Sequence, residues 1–176
     1  MSDSNFQPND HEIEIKETAI KFGVIGGLIG ILVSLILFYT NLQFESWSKW
    51  IQSVVMVASI VLGVKLIADA NKGKLIPFGI LFKGGMLVTL VLTFISITFF
   101  FIYVHFIDTD FINGILDVSR QKMTQNGLGD DQIDKAIEIS KKFLSPGIMA
   151  IISTISSLII GAIVSSISAA VFKKEK

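Results

Sequence analysis

The sequence predicts an all-α integral membrane protein: a bundle of four membrane-spanning helices, with an extracytoplasmic amphipathic helical hairpin between the third and the fourth. Three observations carry this prediction. Of 176 residues 51% are hydrophobic and only 17% charged, at a mean hydropathy of +0.66, which is too apolar for an ordinary soluble domain. Four apolar runs are each long enough, at about 1.5 Å per helical residue, to cross a hydrocarbon core of about 30 Å. Between the last two runs the chain turns charged and amphipathic, which no lipid-embedded segment could be.

Residues 1–11, MSDSNFQPNDH, are polar and carry too little apolar surface to order themselves. They read as a disordered cytoplasmic tail before a single membrane domain over 12–176. Asn9 or Asp10 could cap a helix that starts outside the bilayer and continues into it. The first span is expected over 19–40; its length, and an end (FYTNLQ) without a small-x-small site, argue against a cleaved signal. In NLQFESWSKW, Trp47 and Trp50 follow Tyr39 closely, the composition of an aromatic belt at the membrane interface. The second span is expected over 50–67, where Gln52 and Lys65 flank a short uncharged core and Lys65 can snorkel to the headgroups.

Lys72 and Lys74 around Gly73 predict a turn. Pro77 and Gly79 predict that regular helix resumes only near Phe82, leaving IPFGILF along the interface. The third span is expected over 84–107, closing in the aromatic cluster FFFIYVHF, and the fourth over 148–172, between Pro146-Gly147 and KKEK. In the hairpin, residues 108–146, one helix gathers Phe111, Ile112, Ile115 and Leu116 on one face, and the next gathers Ile133, Ile137 and Leu144. Gly127 or Gly129 stops the first, and Asp130 or Asp131 caps the second. Apolar faces outside the bilayer need cover, from the bundle, from lipid or from a partner.

Charge sets the expected orientation. Lys16, Lys21, Lys65, Lys72, Lys74, Lys83, Lys173, Lys174 and Lys176 fall on one side; Lys49 and the bases of the long loop fall on the other, where Asp108, Asp110, Asp117, Asp130, Asp131, Asp134 and Glu138 outnumber those loop bases. The positive-inside rule makes the first side, with both termini, cytoplasmic. Lys72, Lys74, Lys83, Lys173 and Lys174 are thus topology anchors, with Trp47 and Trp50 marking the opposite interface.

Each span carries a stripe of small or hydroxyl residues at helical spacing: Gly23, Gly27, Gly30 and Ser34; Ser59 and Gly63; Gly85, Thr89, Thr93 and Ser96; Ser153, Ser157, Gly161 and Ser165. Such stripes let helix backbones approach closely where lipid removes the hydrophobic drive between helices. They read first as packing devices, and second as the lining of a polar pathway. Acids and arginine are missing from the apolar cores, which weakens ion-coupled transport. Cysteine is absent, and the two histidines, His11 and His105, lie far apart in sequence; no metal set, catalytic triad or phosphate loop can be assembled, and no cofactor is expected. Lys plus Arg balances Asp plus Glu at 15 each, so nucleic acid is not an expected partner.

The run Gly73, Lys74, Phe78, Gly79, Phe82, Lys83, Gly85 before a span, the charged hairpin and the lysine-rich C-terminus together resemble a family of small four-span bacterial membrane proteins, the domain of unknown function 4199 family. Pro77 stands where that pattern favours a small polar residue. The resemblance implies the bacterial inner membrane and supplies no activity. The expected role is a non-enzymatic structural or interaction protein, its outer hairpin touching the lipid surface, a protein partner or a second copy of the chain. The alternatives are a small transporter or channel for a neutral solute or Na⁺ along the hydroxyl stripes, and a lipid-directed enzyme.

Overall fold

The computed structural model describes residues 8–70 and 76–173, with side chains from Ile15 onward except that of Lys49. Six α-helices follow in order: α1 (Pro8–Tyr39), α2 (Ser48–Ala70), α3 (Phe78–Ile102), α4 (Phe111–Gln125), α5 (Asp130–Phe143) and α6 (Pro146–Phe172), and a π-helical turn, Tyr103–Ile107, prolongs α3. Ile15–Tyr39, Trp50–Ala70, Phe78–Ile107 and Pro146–Phe172 are long and apolar enough to cross a membrane, with mean hydropathies of 2.1 to 2.5.

Several boundaries differ from the sequence expectation. Helix α1 already begins at Pro8, so residues 8–11 belong to it and not to a disordered tail; residues 1–7 lie outside the described residues. Proline is tolerated in a first helical turn, where its missing N–H costs no bond. The same physics corrects the third span. Pro77 sits at its N-cap in extended conformation and regular helix starts at Phe78, so FGILF is the first turn of the span and not an interfacial strip. Helix α2 runs three residues beyond the expected 67, to Ala70. Lys83 and Lys173 are exposed at the end of the bundle opposite the hairpin, and Trp47 and Trp50 are exposed at the hairpin end. Lys72, Lys74 and Lys174 lie outside the described residues.

Helix α1 ends in a tight C-terminal motif. The N–H of Asn41 bonds to the carbonyl of Phe38 and that of Leu42 to Leu37 (3.0 and 2.9 Å), with Asn41 at φ 56°. Asparagine is one of the few residues that takes this conformation at little cost.

The small-residue stripes sit in the helix seams and set their register. A Cβ on Gly23 would lie 2.6 Å from that of Val91, and one on Gly27 2.8 Å from Ile95, so α1 and α3 run parallel with their backbones in close approach. Gly26 meets Ser59, Gly63 meets Val88 and Gly84 meets Ile67, which places α2 antiparallel to both. Gly85 faces Ser165 and Gly161 faces Thr89, an antiparallel α3–α6 seam. The buried cluster Ile60, Val64, Ile67, Leu81, Val88 and Ala169 fills the half of the bundle away from the hairpin. Helix α6 turns Ile152, Ile155, Ile159, Ile163 and Ile167 outward, an exposed apolar stripe suited to lipid tails.

Helices α4 and α5 cover each other. Leu116, Ile133 and Ile137 form a separate small core with Ile112, Met123 and Leu144. The expected need of these faces for external cover is therefore largely met within the hairpin. Gly127 closes α4 at φ +78°, with Gly127 N–H bonded to Thr124 and Leu128 N–H to Met123. The N-cap of α5 is Gly129, and Asp130 and Asp131 lie in its first turn, where they complement the helix dipole without capping. Arg120 bridges to Asp134 at 2.9 Å across the pair, with both side chains at least half exposed. Ile133→Ala is accordingly expected to cost about 2–5 kcal/mol and to speed amide exchange throughout α4 and α5. Arg120→Ala should cost no more than about 1 kcal/mol, and hydrogen exchange on the two variants separates the contributions.

Candidate ligand cavity at the hairpin end

Where the close seams end, the helices part. In the half of the bundle nearer the hairpin, α1, α2, α3 and α6 enclose a partly open cavity of about 520 Å³. Of the stripe residues, Gly30, Ser34, Thr93 and Ser157 line it, together with Ser96 and Ser153; Gly23, Gly27, Ser59, Gly63, Gly85, Thr89, Gly161 and Ser165 do not, and are buried in the seams. The two readings of the stripes thus divide along the bundle: packing at one end, lining at the other.

Several lining hydroxyls on α3 and α6 are distinguished by what they lack. In a membrane helix a Ser or Thr usually returns its proton to the carbonyl one turn back. Ser59, Thr89, Thr98, Thr154 and Ser166 do so, at 2.6 to 3.0 Å. Thr93 is 6% exposed, lines the cavity, and its hydroxyl has no partner. Among the described residues the side chains of Ser96, Ser153, Ser156 and Ser157 also make no hydrogen bond, whereas Ser48, also in the lining, donates to the Gln43 and Glu45 carbonyls. The hydroxyl of Ser165 is unpaired too, but it is wedged against Gly85 within the closed seam. On the facing wall Gln52 donates through Nε2 to the Ser34 hydroxyl (2.8 Å) and to the Gly30 carbonyl (3.2 Å), tying α2 to α1.

The hairpin end of the cavity is built by residues from three places in the chain. Tyr103, in the π-helical turn, donates to Gln43 Oε1 (3.1 Å) and Asp108 Oδ2 (3.2 Å), while Gln43 Nε2 donates to the same Asp108 oxygen at 3.0 Å. The wide turn is closed by Asp108 N–H on the Tyr103 carbonyl, 2.8 Å. Around the Tyr103 ring stand Phe38, Phe99 and Phe111, at centroid distances of 5.9, 5.9 and 5.5 Å. Phe111 also stacks on Phe44, and a Cβ on Gly114 would run into that ring, so this cluster is the root by which the hairpin joins the bundle.

No ionised side chain lines the cavity. Among the described residues there is no group of three or more His, Cys, Asp or Glu that could hold a metal ion. His105 turns its Nδ1 back to the Phe101 carbonyl at 2.9 Å and is exposed. Gln43, Gln52, Tyr103 and Asp108 carry much of the polar geometry, yet the sequence marks them only as loop, span edge, belt and loop charge. Only Gln52, an amide within an apolar run, carried a signal that could have found it.

The family described as "Protein of unknown function (DUF4199)" matches residues 21–174. No curated protein and no solved structure matches the chain.

Proposed function

Starting from the fact that the chain belongs to the DUF4199 family of proteins of unknown function, and that four of its helices can cross a membrane, we propose that it is a non-enzymatic binding protein of the bacterial inner membrane. Its termini are cytoplasmic and its cavity lies in the outer half of the bundle, beside an extracytoplasmic hairpin. The cavity receives a small molecule that combines apolar surface with hydrogen-bonding groups. One observation carries this reading: Thr93 turns a buried hydroxyl without a partner to the cavity. An unmade hydrogen bond in a membrane interior is costly, and a ligand that supplies it gains both affinity and orientation. A volume of about 520 Å³ lies within the range of small-molecule sites. Lysines at the opposite end support the orientation by the positive-inside rule.

The test is native mass spectrometry of the protein released from lipid nanodiscs. A retained small molecule is expected on the wild type and on Gly79→Ala, and its loss is expected on Ser157→Leu and Thr93→Leu. Equal retention on all four would remove the cavity as its seat. Orientation is tested separately with single cysteines at Asp131 and Lys173 in intact cells, where an impermeant reagent should label only the first.

A second reading draws on Ile139 and Phe143, one turn apart on α5 and 57% and 60% exposed. They lie outside the hairpin core and suit contact with the lipid surface near the start of α6. Replacing both by aspartate should leave the fold intact and lift the hairpin from the bilayer, read as loss of quenching of a probe on α5 by lipid-borne quenchers.

A further inference from the structure

We propose that the hairpin end of this cavity takes a small organic cation, a quaternary or protonated ammonium group set among Tyr103, Phe100 and Phe111 with Asp108 as its counter-charge. The proposal rests on the binding-cavity reading above and adds the charge and class of the ligand.

Asp108 is 9% exposed, and its only side-chain partners among the described residues are the neutral donors Gln43 and Tyr103, both on one oxygen. Among the described residues no basic side chain answers it, and Arg120, the one arginine, is paired with Asp134. A buried carboxylate with neutral partners alone keeps an unbalanced negative field, which reaches farther where water is excluded. That field falls on the cavity through the side chains that separate them, since both Gln43 and Tyr103 line it. The lining itself contributes no ionised group to oppose that field.

Aromatic rings there narrow the class. Phe99, Phe100, Tyr103 and Phe111 all line the cavity. Ring faces attract large, weakly hydrated cations more strongly than neutral groups of the same shape. A bare metal ion would instead require several oxygen or nitrogen ligands at short range, and no such acidic or histidine set is present among the described residues. Farther from the hairpin, the buried unpaired hydroxyl of Thr93, with Ser157 also in the lining, suits a hydroxyl or other polar group on the same ligand.

Choline and 3,3-dimethylbutan-1-ol, which differ in having nitrogen or carbon at the trimethyl centre, separate charge from shape. Equilibrium binding of both is measured on the full chain in nanodiscs. The wild type is expected to bind choline at least about tenfold more tightly than the alcohol. Asp108→Asn should bring choline down to the level of the alcohol and leave the alcohol within about twofold, while Asp108→Glu, keeping the charge, should restore most of the preference. Thr93→Leu and Ser157→Leu should abolish both. Equal affinities in the wild type, an undiminished preference in Asp108→Asn, or binding of neither probe would overturn the cation proposal. If both probes bind equally and are lost together in Thr93→Leu and Ser157→Leu, the cavity reading survives without it. If both bind and neither filling variant affects them, the cavity reading falls as well.

Discussion

Gly161→Ala is expected to part α6 from α3. The added Cβ would meet the methyl, the hydroxyl and, at 2.9 Å, the Cβ of Thr89, a residue with 0% exposure. Thr89 has no room to turn aside, because its hydroxyl is bonded to the Gly85 carbonyl at 3.0 Å and Gly85 is itself pressed against Ser165. Overpacking of this kind costs about 1–3 kcal/mol, occasionally more, against a gain of about 0.5–1 kcal/mol for replacing a helical glycine. The net effect is a loss. Gly79 and Gly147 also lie within helices but have no atom within 4 Å of a built Cβ, so their alanine variants should be neutral or slightly stabilising. Denaturant midpoints in mixed micelles give the comparison. Measured against Thr89→Gly alone, adding Gly161→Ala should cost little, since the clash needs both side chains; an undiminished cost would locate the damage outside this seam.

The stripes that meet in the α3–α6 seam were visible in the sequence, though their pairing was not, and the reason is physical. Gly85, Thr89, Ser157, Gly161 and Ser165 repeat at the spacing of one helical face, and in lipid a face of small residues has few uses other than close approach. Span positions were legible for a similar reason, because the length of an apolar run is set by the bilayer and not by distant contacts. What depended on more than one segment was not legible. Each hairpin helix shows an uncovered apolar face when read alone; only their pairing reveals that Ile133 and Ile137 bury against Leu116. Pro77 misled because proline stops a helix from within but begins one equally well. The cavity depends on where seams end: Thr93 and Ser157 continue the stripes of Gly85 and Gly161, and nothing local says that the helices have by then diverged.

Tyr103 is the clearest case of a residue that looks ordinary in sequence and carries several elements in the structure. In FFFIYVHF it is one aromatic of an interfacial belt, yet it is 6% exposed and holds together the α1–α2 connection through Gln43, the π-helical turn through Asp108, and the hairpin root through Phe111. Tyr103→Ala should cost about 3–5 kcal/mol, the usual range for deleting a buried aromatic, and the damage should be local. Amide exchange is expected to rise over residues 43–48 and 103–116, while the seams at Gly85 and Gly161, on the far half of the bundle, stay protected. Tyr103→Phe isolates the hydroxyl: packing remains, Asp108 keeps Gln43 as its one donor, and a loss of about 1–3 kcal/mol is expected for a charged acceptor deprived of a partner. The pair also distinguishes two origins of the wide turn. If the hydrogen bonds to Gln43 and Asp108 hold the π geometry, the phenylalanine variant should let Asp108 N–H exchange freely; if ring packing alone holds it, that amide should stay protected and only the alanine variant should release it.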